Sequence, residues 1–247
     1  MHEVIIVGAG PAGLSAALIL GRCLRDVLVF DTGEYRNYAS QAVHGFLSRD
    51  GVSPRELLRL GREQLEQYET VELRQGRVVD AASQDGHFDV MLEDGTRLQA
   101  RKLLLATGVC DELPALTGVE EFYGRGVHHC PYCDGWELRD QPLAIYAGEK
   151  DDYKLALELR QWSAKLTLCT NGPMQFSQHE LGRLQRNGIE ICEERIVRLE
   201  GQEQLERLIL ENGKSLTCRA LFFNGMKTQR SDLAAKLECD FTKEGAV

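Results

Sequence analysis

The apolar positions of the chain fall into short runs, and amphipathic or polar stretches separate these runs. Residues 3–7 form the first run, which predicts a strand. A helix pattern follows over residues 14–20, and a second apolar run covers residues 27–31. Strand, helix and strand in this order predict a βαβ unit with two parallel strands.

A second pattern occurs twice in the chain. Residues 88–108 read FDVMLEDGTRLQARKLLLATG, and residues 205–225 read LERLILENGKSLTCRALFFNG. Each segment predicts a strand, a turn at Asp-Gly or Asn-Gly, a return strand and an apolar strand that ends in glycine. Asp-Gly and Asn-Gly favour tight turns because these residues tolerate positive φ. The sequence therefore predicts two related units.

The second unit has its own βαβ pattern. Residues 142–148 and 165–170 predict strands, and residues 153–164 between them predict an amphipathic helix. The sequence thus predicts an α/β protein with two Rossmann-like, three-layer ββα domains of nucleotide-binding type. A further helix, which starts at Ser53-Pro54 and runs to about residue 68, is assigned to the first domain.

The predicted boundary between the domains lies near residues 114–118. The first domain then covers residues 1–115, and residues 245–247 begin a return to it. The second domain covers residues 116–244.

The turn after the first strand is rich in glycine and reads Gly8-Ala9-Gly10-Pro11-Ala12-Gly13. In a dinucleotide-binding turn the first glycine permits the bend, the second lets a pyrophosphate approach, and the third lets helix and strand pack closely. The following helix offers free N–H groups to the phosphates. Asp31 ends the second strand, where its carboxylate can accept the hydroxyls of a ribose. This motif does not distinguish FAD from NAD.

Composition narrows the classes of function. The chain has 247 residues and a net charge of −9, which argues against a general nucleic-acid binder. No apolar run has the length of a membrane span, and the N-terminus lacks the features of a secretory signal. We therefore expect a cytoplasmic protein without membrane or nucleic-acid partners. Most of the eight cysteines are scattered singly through apolar segments, as small core residues are.

Two cysteines differ from the rest, because Cys130 and Cys133 form a C-x-x-C within HHCPYCDGWE. A structural zinc site would need a second C-x-x-C or a spaced histidine pair, and the chain contains neither. His128 and His129 are adjacent to Cys130, which is poor geometry for chelation, so we expect no metal. Glutaredoxins also use Cys-Pro-Tyr-Cys, but their motif comes early in a small βαβ domain. In this chain the motif lies in the second nucleotide-type domain, which argues against a glutaredoxin fold.

Taken together, the motifs resemble those of low-molecular-weight thioredoxin reductases and their flavoprotein relatives. The resemblance rests on the GAGPAG turn, on Ala106-Thr107-Gly108 at a strand end and on C-x-x-C-D-G in the second domain. It covers nearly the whole chain. It implies an FAD/NAD(P)-binding fold and an oxidoreductase that acts on a sulfur group (class EC 1.8). Its substrate would be a thioredoxin-like protein or a small dithiol or disulfide.

The resemblance also assigns roles. It implies FAD on the first domain and a redox-active Cys130–Cys133 disulfide on the second, with Cys133 nearer the flavin and Asp134 as the acid–base residue. A cysteine at a helix start has a lowered pKa, and electrons can pass to a substrate by thiol–disulfide exchange. The alternative for Asp134 is a plain turn after the motif.

Further FAD contacts are implied at positions outside the glycine turn. They are Thr32, Asn37, His44, Val79, Ala106, Thr107 and Gly108. A histidine before Gly-Phe, such as His44, can equally be a residue that packs a loop.

The second domain departs from the family pattern. Where NADPH-dependent members have a second glycine motif, this chain reads Gly148-Glu149-Lys150-Asp151-Asp152, and the acids repel a pyrophosphate. Residues 170–172, Thr-Asn-Gly, replace the basic cluster that holds the 2′-phosphate. NADPH binding is therefore doubtful. The electrons can come from another donor such as reduced ferredoxin, or a dithiol can reduce the enzyme and oxygen reoxidise it, as in a dithiol oxidase.

The family pattern continues beyond this sequence. After residues 241–247 the family returns to the FAD domain with an A-G-D motif and a final helix, which this sequence does not contain. The family also forms homodimers, and part of that contact uses the same segment. A non-catalytic, flavin-poor binding module is the alternative of a different class.

Overall fold

The computed structural model describes residues 1–243 and 245–247, so the predicted boundary at residue 244 lies outside the described residues. The chain divides into two compact units. The first comprises Met1–Tyr38, Pro54–Asp111 and Lys227–Val247, and the second comprises Ala39–Ser53 and Glu112–Met226. The predicted first domain contains residues 39–53 and 112–115, which lie in the second unit, and the predicted second domain contains residues 227–243, which lie in the first unit. Which cofactor each domain holds stays a prediction.

Strands and helices alternate along the first half of the chain. In order they are β1 His2–Val7, α1 Pro11–Arg22, β2 Val27–Asp31, α2 Pro54–Glu63, β3 Val71–Gln75, β4 Val78–Gln84, β5 His87–Leu92, β6 Arg97–Leu105, β7 Val109–Asp111, α3 Val119–Phe122, β8 Val127–His128 and α4 Pro131–Asp134.

The second half begins a new alternation. Its elements are β9 Leu143–Tyr146, a 3₁₀ turn at Lys150–Asp152, α5 Tyr153–Leu159, β10 Leu166–Cys169, α6 Gln178–Arg186, β11 Glu190–Cys192, β12 Ile196–Gly201, β13 Leu205–Leu210, β14 Ser215–Thr217, β15 Ala220–Phe223, β16 Lys227–Gln229 and α7 Leu233–Lys236.

The first unit is built on a six-stranded sheet in the order β3-β2-β1-β6-β5-β4. The strands from β3 to β6 are parallel, and β5 and β4 are antiparallel. Ile5 of β1 packs on one face with Leu28, and Ile6 packs on the other face with Val29. Because both faces are covered, the central strands are apolar at nearly every position. Val7 pairs with Phe30 and Leu105, so three strands end side by side.

The second unit contains a five-stranded parallel sheet in the order β11-β10-β9-β15-β8. Its two faces also carry separate clusters, with Ile145 and Leu168 on one and Ala144 and Cys169 on the other. A smaller antiparallel sheet, β12-β13-β14, packs on the second of these clusters through Leu205 and other residues. Two α/β units, each with parallel strands at the centre of its main sheet, confirm the predicted fold class.

The two repeated segments differ in detail. In the first, the return strand and the apolar strand are one continuous strand, β6, which joins the main sheet. In the second they are separate strands, because β14 pairs only with β13 and β15 lies in the parallel sheet.

Two helices end earlier than their patterns predict. Helix α2 stops at Glu63 instead of about residue 68, and α5 stops at Leu159 instead of residue 164. In both cases the last turn tightens into i→i+3 bonds, such as Leu65 N–H to Arg62 O and Trp162 N–H to Leu159 O, both 2.9 Å. No helix in the described part of the chain is long and apolar enough to span a membrane.

Candidate functional site

The turn between β1 and α1 brings strand, helix and β6 into very close contact. A Cβ on Gly8 would lie 2.3 Å from Ala106 O, and a Cβ on Gly13 would lie 1.8 Å from Gly8 O. Gly8 also has φ +107°, which side chains disfavour. Gly10, in contrast, has no protein atom other than its own and those of its chain neighbours within 4 Å of its Cβ position. Two glycines therefore close the turn, and the third leaves a face open.

That open face is the N-terminus of α1. Gly10 is the N-cap residue and makes no side-chain cap, and Pro11 follows at the first helical position. The first turn of α1 contains no acidic residue. The backbone N–H groups of this turn and the positive end of the helix dipole are the usual receptors of a phosphate group.

A cavity of about 690 Å³ lies over this turn within the first unit. Its volume is in the ordinary range for ligand pockets. Most of the predicted cofactor residues line it, namely Gly8, Gly10, Pro11, Ala12, Asp31, Thr32, Asn37, Val79, Ala106, Thr107 and Gly108. Ala9 and Gly13 do not line it, and Ala9 contributes its N–H to Asp31 instead.

Asp31 lies at the end of β2 and is held by three donors. Its Oδ1 accepts the N–H of Ala9 at 3.4 Å, and its Oδ2 accepts Arg62 Nη2 at 2.6 Å and the hydroxyl of Tyr35. Burial, followed by the hydrogen bond to Asp31, raises the pKa of Tyr35 to about 12, so the phenol remains a donor. The weakly engaged Oδ1 is the atom most available to a ribose hydroxyl.

The sequence-based prediction missed several other residues of the cavity wall. Glu34 pairs with Arg77 at 3.0 Å and with Arg230 at 3.7 Å, and all three line the cavity. Lys236 of α7 donates to Val79 O at 2.7 Å. Arg230 and Lys236 come from the last part of the chain, which no local pattern connects to the glycine turn.

The C-x-x-C lies in the second unit, on α4. Cys130 and Cys133 form a disulfide with a Cα–Cα distance of 5.3 Å. Cys130 is the N-cap of α4 and is partly buried, whereas Cys133 is exposed. Helix α4 has only four residues, so the dipole effect predicted from a helix start is small here.

Asp134 has an ionisable neighbour that the sequence-based prediction missed. Its Oδ1 lies 3.2 Å from Nδ1 of His128, the last residue of β8. His128 is buried, and its ring packs against Phe222 with a centroid distance of 5.5 Å. The imidazole and the carboxylate together can hold and exchange a proton beside the disulfide. The sequence signal was the position of His128 two residues before Cys130.

His44 lies in the second unit, away from the lining of the first cavity. Its Nδ1 is 3.5 Å from Asp50 and its Nε2 is 3.6 Å from Glu137. Together with His128 and Asp134 it lines a second cavity of about 480 Å³. The assignment of His44 to FAD stays a prediction.

The loop after β9 is where a nucleotide would bind to the second unit. Asp152 is buried, and its Oδ2 accepts the N–H of Glu149 at 2.8 Å. Its Oδ1 accepts Nδ2 of Asn224 at 2.9 Å. After β10, Thr170 Oγ1 donates to Gly172 O at 2.6 Å, and Asn171 Oδ1 accepts the N–H of Ile196 at 2.8 Å. The side-chain oxygens of Asp152, Thr170 and Asn171 therefore have partners within the protein.

Among the residues that the structure describes, no group of three or more histidine, cysteine, aspartate or glutamate side chains could hold a metal ion.

Comparison with known proteins places this arrangement in a family. Residues 2–247 match the family model described as pyridine nucleotide-disulphide oxidoreductase. The chain is 37% identical over 177 residues to a protein of Arthroderma benhamiae named "Probable thioredoxin reductase", which covers 69% of this chain and 44% of that protein. It is 33% identical over 198 residues to the bifunctional thioredoxin reductase/thioredoxin of Mycobacterium leprae, which covers 76% of this chain and 42% of that protein.

A solved structure shows the same fold. The oxidoreductase from Agrobacterium tumefaciens has 36% sequence identity and a TM-score of 0.92, and the match covers 98% of this chain and 81% of that one. The chain belongs to the pyridine nucleotide-disulphide oxidoreductase family. The predicted resemblance to thioredoxin reductase-type flavoproteins is confirmed. The matched part is less than half the length of either curated relative described above.

Membership of this family implies FAD binding, and the first cavity fits such a group. Gly10 leaves the helix N-terminus open to a pyrophosphate, and no acidic side chain lies in the first turn of α1. Asp31 stands at the strand end where an adenosine ribose binds in dinucleotide folds, with its Oδ1 weakly engaged.

Proposed function

We propose that this protein is an FAD-dependent thiol–disulfide oxidoreductase that works without NADPH. Family membership supports the flavin and the general chemistry. The disulfide between Cys130 and Cys133, beside a carboxylate and an imidazole, supports the role of the C-x-x-C as the redox centre. The independence from NADPH rests on a separate observation in the second unit.

The carboxylate of Asp152 carries this part of the proposal. It is buried and accepts the backbone N–H of Glu149, in the loop after β9 where a pyrophosphate would take its hydrogen bonds. The protein thus supplies its own anion at this position. A bound nucleotide would have to displace Asp152 and break its bond to Asn224. Glu149 and Asp151, which precede it in the same loop, would add repulsion.

The loop after β10 supports the same proposal. In this position a nicotinamide dinucleotide phosphate needs a cation for its 2′-phosphate. Here residues 170–172 carry no cation, and the side chains of Thr170 and Asn171 are engaged in bonds within the protein. Both ends of a nucleotide therefore lack a receptor in these two loops.

The roles of the residues follow from their positions. FAD, when bound over the glycine turn, supplies a two-electron redox group. A substrate thiolate attacks one sulfur of the Cys130–Cys133 disulfide and forms a mixed disulfide, and a second thiolate of the substrate then displaces the enzyme sulfur. The substrate leaves as a disulfide and the C-x-x-C is left as a dithiol. Asp134, with His128, holds the proton that the released enzyme thiolate takes up.

Thiol–disulfide exchange is reversible, so the same residues support either direction of electron flow. With a reduced protein donor such as a ferredoxin, the enzyme would reduce a thioredoxin-like partner. With oxygen as the acceptor, it would oxidise a small dithiol to a disulfide. Cys133 is exposed, and the neighbouring residues Tyr132 and Trp136 are 72% and 65% exposed. This exposure supports access for either kind of substrate. Homodimer formation and a cytoplasmic location stay predictions.

The deciding experiment is the visible absorption spectrum of the purified protein under anaerobic conditions. We expect a flavin band that persists after addition of NADPH and bleaches after addition of a dithiol such as dithiothreitol. Rapid bleaching by NADPH would overturn the NADPH-independent proposal. A protein that contains no flavin and gains none from added FAD would favour a non-catalytic module.

A second arm distinguishes the two directions of electron flow. Oxygen is readmitted to the dithiol-reduced protein, and oxygen consumption is followed with excess dithiol. Multiple turnovers support the dithiol oxidase, whereas slow reoxidation with fast transfer to oxidised thioredoxin supports the reductase. Cys133→Ser is the negative control, and Cys23→Ser, an exposed cysteine in the first unit, is the matched control.

A further inference from the structure

Three cysteines outside the C-x-x-C gather in the second unit. Cys169 ends β10 and Cys192 ends β11, and Cys218 lies just before β15. All three belong to one apolar cluster, in which Cys169 and Cys218 are buried and Cys192 is partly exposed. In the sequence these cysteines read as separate core residues, and only the strand order brings them together.

Cys169 and Cys192 are direct partners across the β10–β11 ladder. Adjacent strands lie about 4.8 Å apart, and this spacing falls within the range of about 4.4–6.8 Å that Cα atoms span in disulfides. Both side chains pack into the same cluster, so they project from the same face of the sheet. The pair can therefore form a disulfide with little movement of the backbone.

The two thiols have different environments. The neighbouring Cys169 thiol lowers the pKa of Cys192, whereas the Cys192 thiol together with burial raises the pKa of Cys169. Strand β11 is the edge of the sheet, so Cys192 is accessible from solvent while Cys169 lies one strand further in. This is the arrangement of a nucleophilic thiol with a resolving thiol behind it.

The charges around Cys192 indicate which disulfides can approach it. Glu190, Glu193 and Glu194 are exposed near it in the sequence, and Arg195 is the nearest exposed cation there. These exposed acids close to Cys192 in the sequence repel anionic molecules such as glutathione disulfide. A small, uncharged disulfide suits this site better.

We propose that Cys192 and Cys169 form a second dithiol centre that reacts with small, uncharged disulfides. The Cys192 thiolate attacks one sulfur of the disulfide, so that a mixed disulfide forms and one thiolate leaves and takes up a proton. The Cys169 thiol then loses its proton and attacks Sγ of Cys192, which releases the second thiol. Two protein thiols are oxidised, and one small disulfide is reduced to two thiols. No other oxidant is needed.

The test uses the whole chain and 2-hydroxyethyl disulfide as the probe. The protein is incubated at neutral pH, alkylated and digested, and its disulfides are mapped by mass spectrometry. We expect a Cys169–Cys192 disulfide in the wild type and in Cys130→Ser/Cys133→Ser. We expect Cys169→Ser to retain one hydroxyethylthio group on Cys192, and Cys218→Ser to behave like the wild type. Absence of the Cys169–Cys192 disulfide in both the wild type and Cys130→Ser/Cys133→Ser would overturn the proposal.

A measurement on the unaltered protein keeps the proposal testable if a variant does not fold. Brief alkylation with iodoacetamide under native conditions compares Cys192 with Cys239, which is also partly exposed. We expect Cys192 to react at least about tenfold faster, because it is more thiolate-like. Equal rates at the two cysteines would contradict the proposed nucleophile. Because these tests do not involve flavin, their failure leaves the proposed function untouched.

Discussion

The carboxylate of Asp152 is held between the backbone N–H of Glu149 and the side-chain amide of Asn224, at 2.8 and 2.9 Å. Asn224 follows β15, 72 residues further along the chain, so this one side chain ties two strand ends of the second unit together. The same position is a phosphate site in nucleotide-binding relatives of the fold. In the proposed function, this bond takes the place of a bound phosphate.

Replacement of Asp152 tests this relationship. We expect Asp152→Ala to lower the free energy of unfolding by about 1–3 kcal/mol, because two donors lose their buried acceptor. We do not expect it to create NADPH binding, because residues 170–172 still lack a cation. Urea denaturation and a fluorescence titration with NADPH measure the two effects. Asp151→Ala, at an exposed carboxylate paired with Lys154, is the matched control and should change stability by less than about 0.5 kcal/mol.

The glycine turn separates folding from cofactor binding. Gly13→Ala places a Cβ against Gly8 O, so we expect a stability loss of about 3 kcal/mol or more together with loss of flavin. Gly10→Ala has free space and φ −70°, so its stability should change by less than about 1 kcal/mol. Flavin content should nevertheless fall, because the methyl group occupies the open face. Thermal unfolding measures the stability of each variant, and the ratio of flavin absorption to protein absorption measures its flavin content. Equal flavin content in Gly10→Ala and the wild type would contradict the proposed pyrophosphate position.

The proposed proton exchange predicts a kinetic effect at Asp134. We expect Asp134→Asn to slow anaerobic reduction of the flavin by a dithiol about 10²- to 10⁴-fold, the usual contribution of a general acid or base. Flavin content should remain, because Asp134 lies in the second unit. Glu137→Gln, three residues further along and lining the same cavity, is the matched control and should keep most of the rate. Stopped-flow absorption measures both variants, and a wild-type rate in Asp134→Asn would make Asp134 a plain turn residue.

The Tyr35–Asp31 bond predicts how stability changes at alkaline pH. Burial, and then the bond to Asp31, raises the pKa of Tyr35 to about 12 in the folded state, against an ordinary value near 10.0. The folded state thus keeps its phenolic proton above pH 10 while the unfolded chain loses it. This contribution to stability is complete below about pH 10 and declines as pH rises towards 12. Urea midpoints between pH 9 and 12 should therefore fall more steeply in the wild type than in Tyr35→Phe, and parallel curves would show that the bond has no such effect.

The sequence by itself determined the parts that neighbouring residues specify. The apolar runs fixed β1, β2 and β9 to within two residues at either end. The glycine turn could be assigned because its spacing encodes the local bend. The C-x-x-C and Asp134 are visible in a single stretch, but their redox role came from the resemblance of the whole chain and stays a prediction. These signals are local, since periodicity, turn preference and motif spacing depend on residues close in sequence.

The tertiary structure decided everything that depends on which strands lie side by side. It brought Arg62 to Asp31, His128 to Asp134, Asn224 to Asp152 and Cys192 to Cys169. It also returned residues 227–243 to the first unit and placed His44 in the second. The partners in such contacts lie far apart in sequence or on opposite sides of a turn, so no periodicity records them. Only the packing of the sheets and the register of their ladders sets these distances.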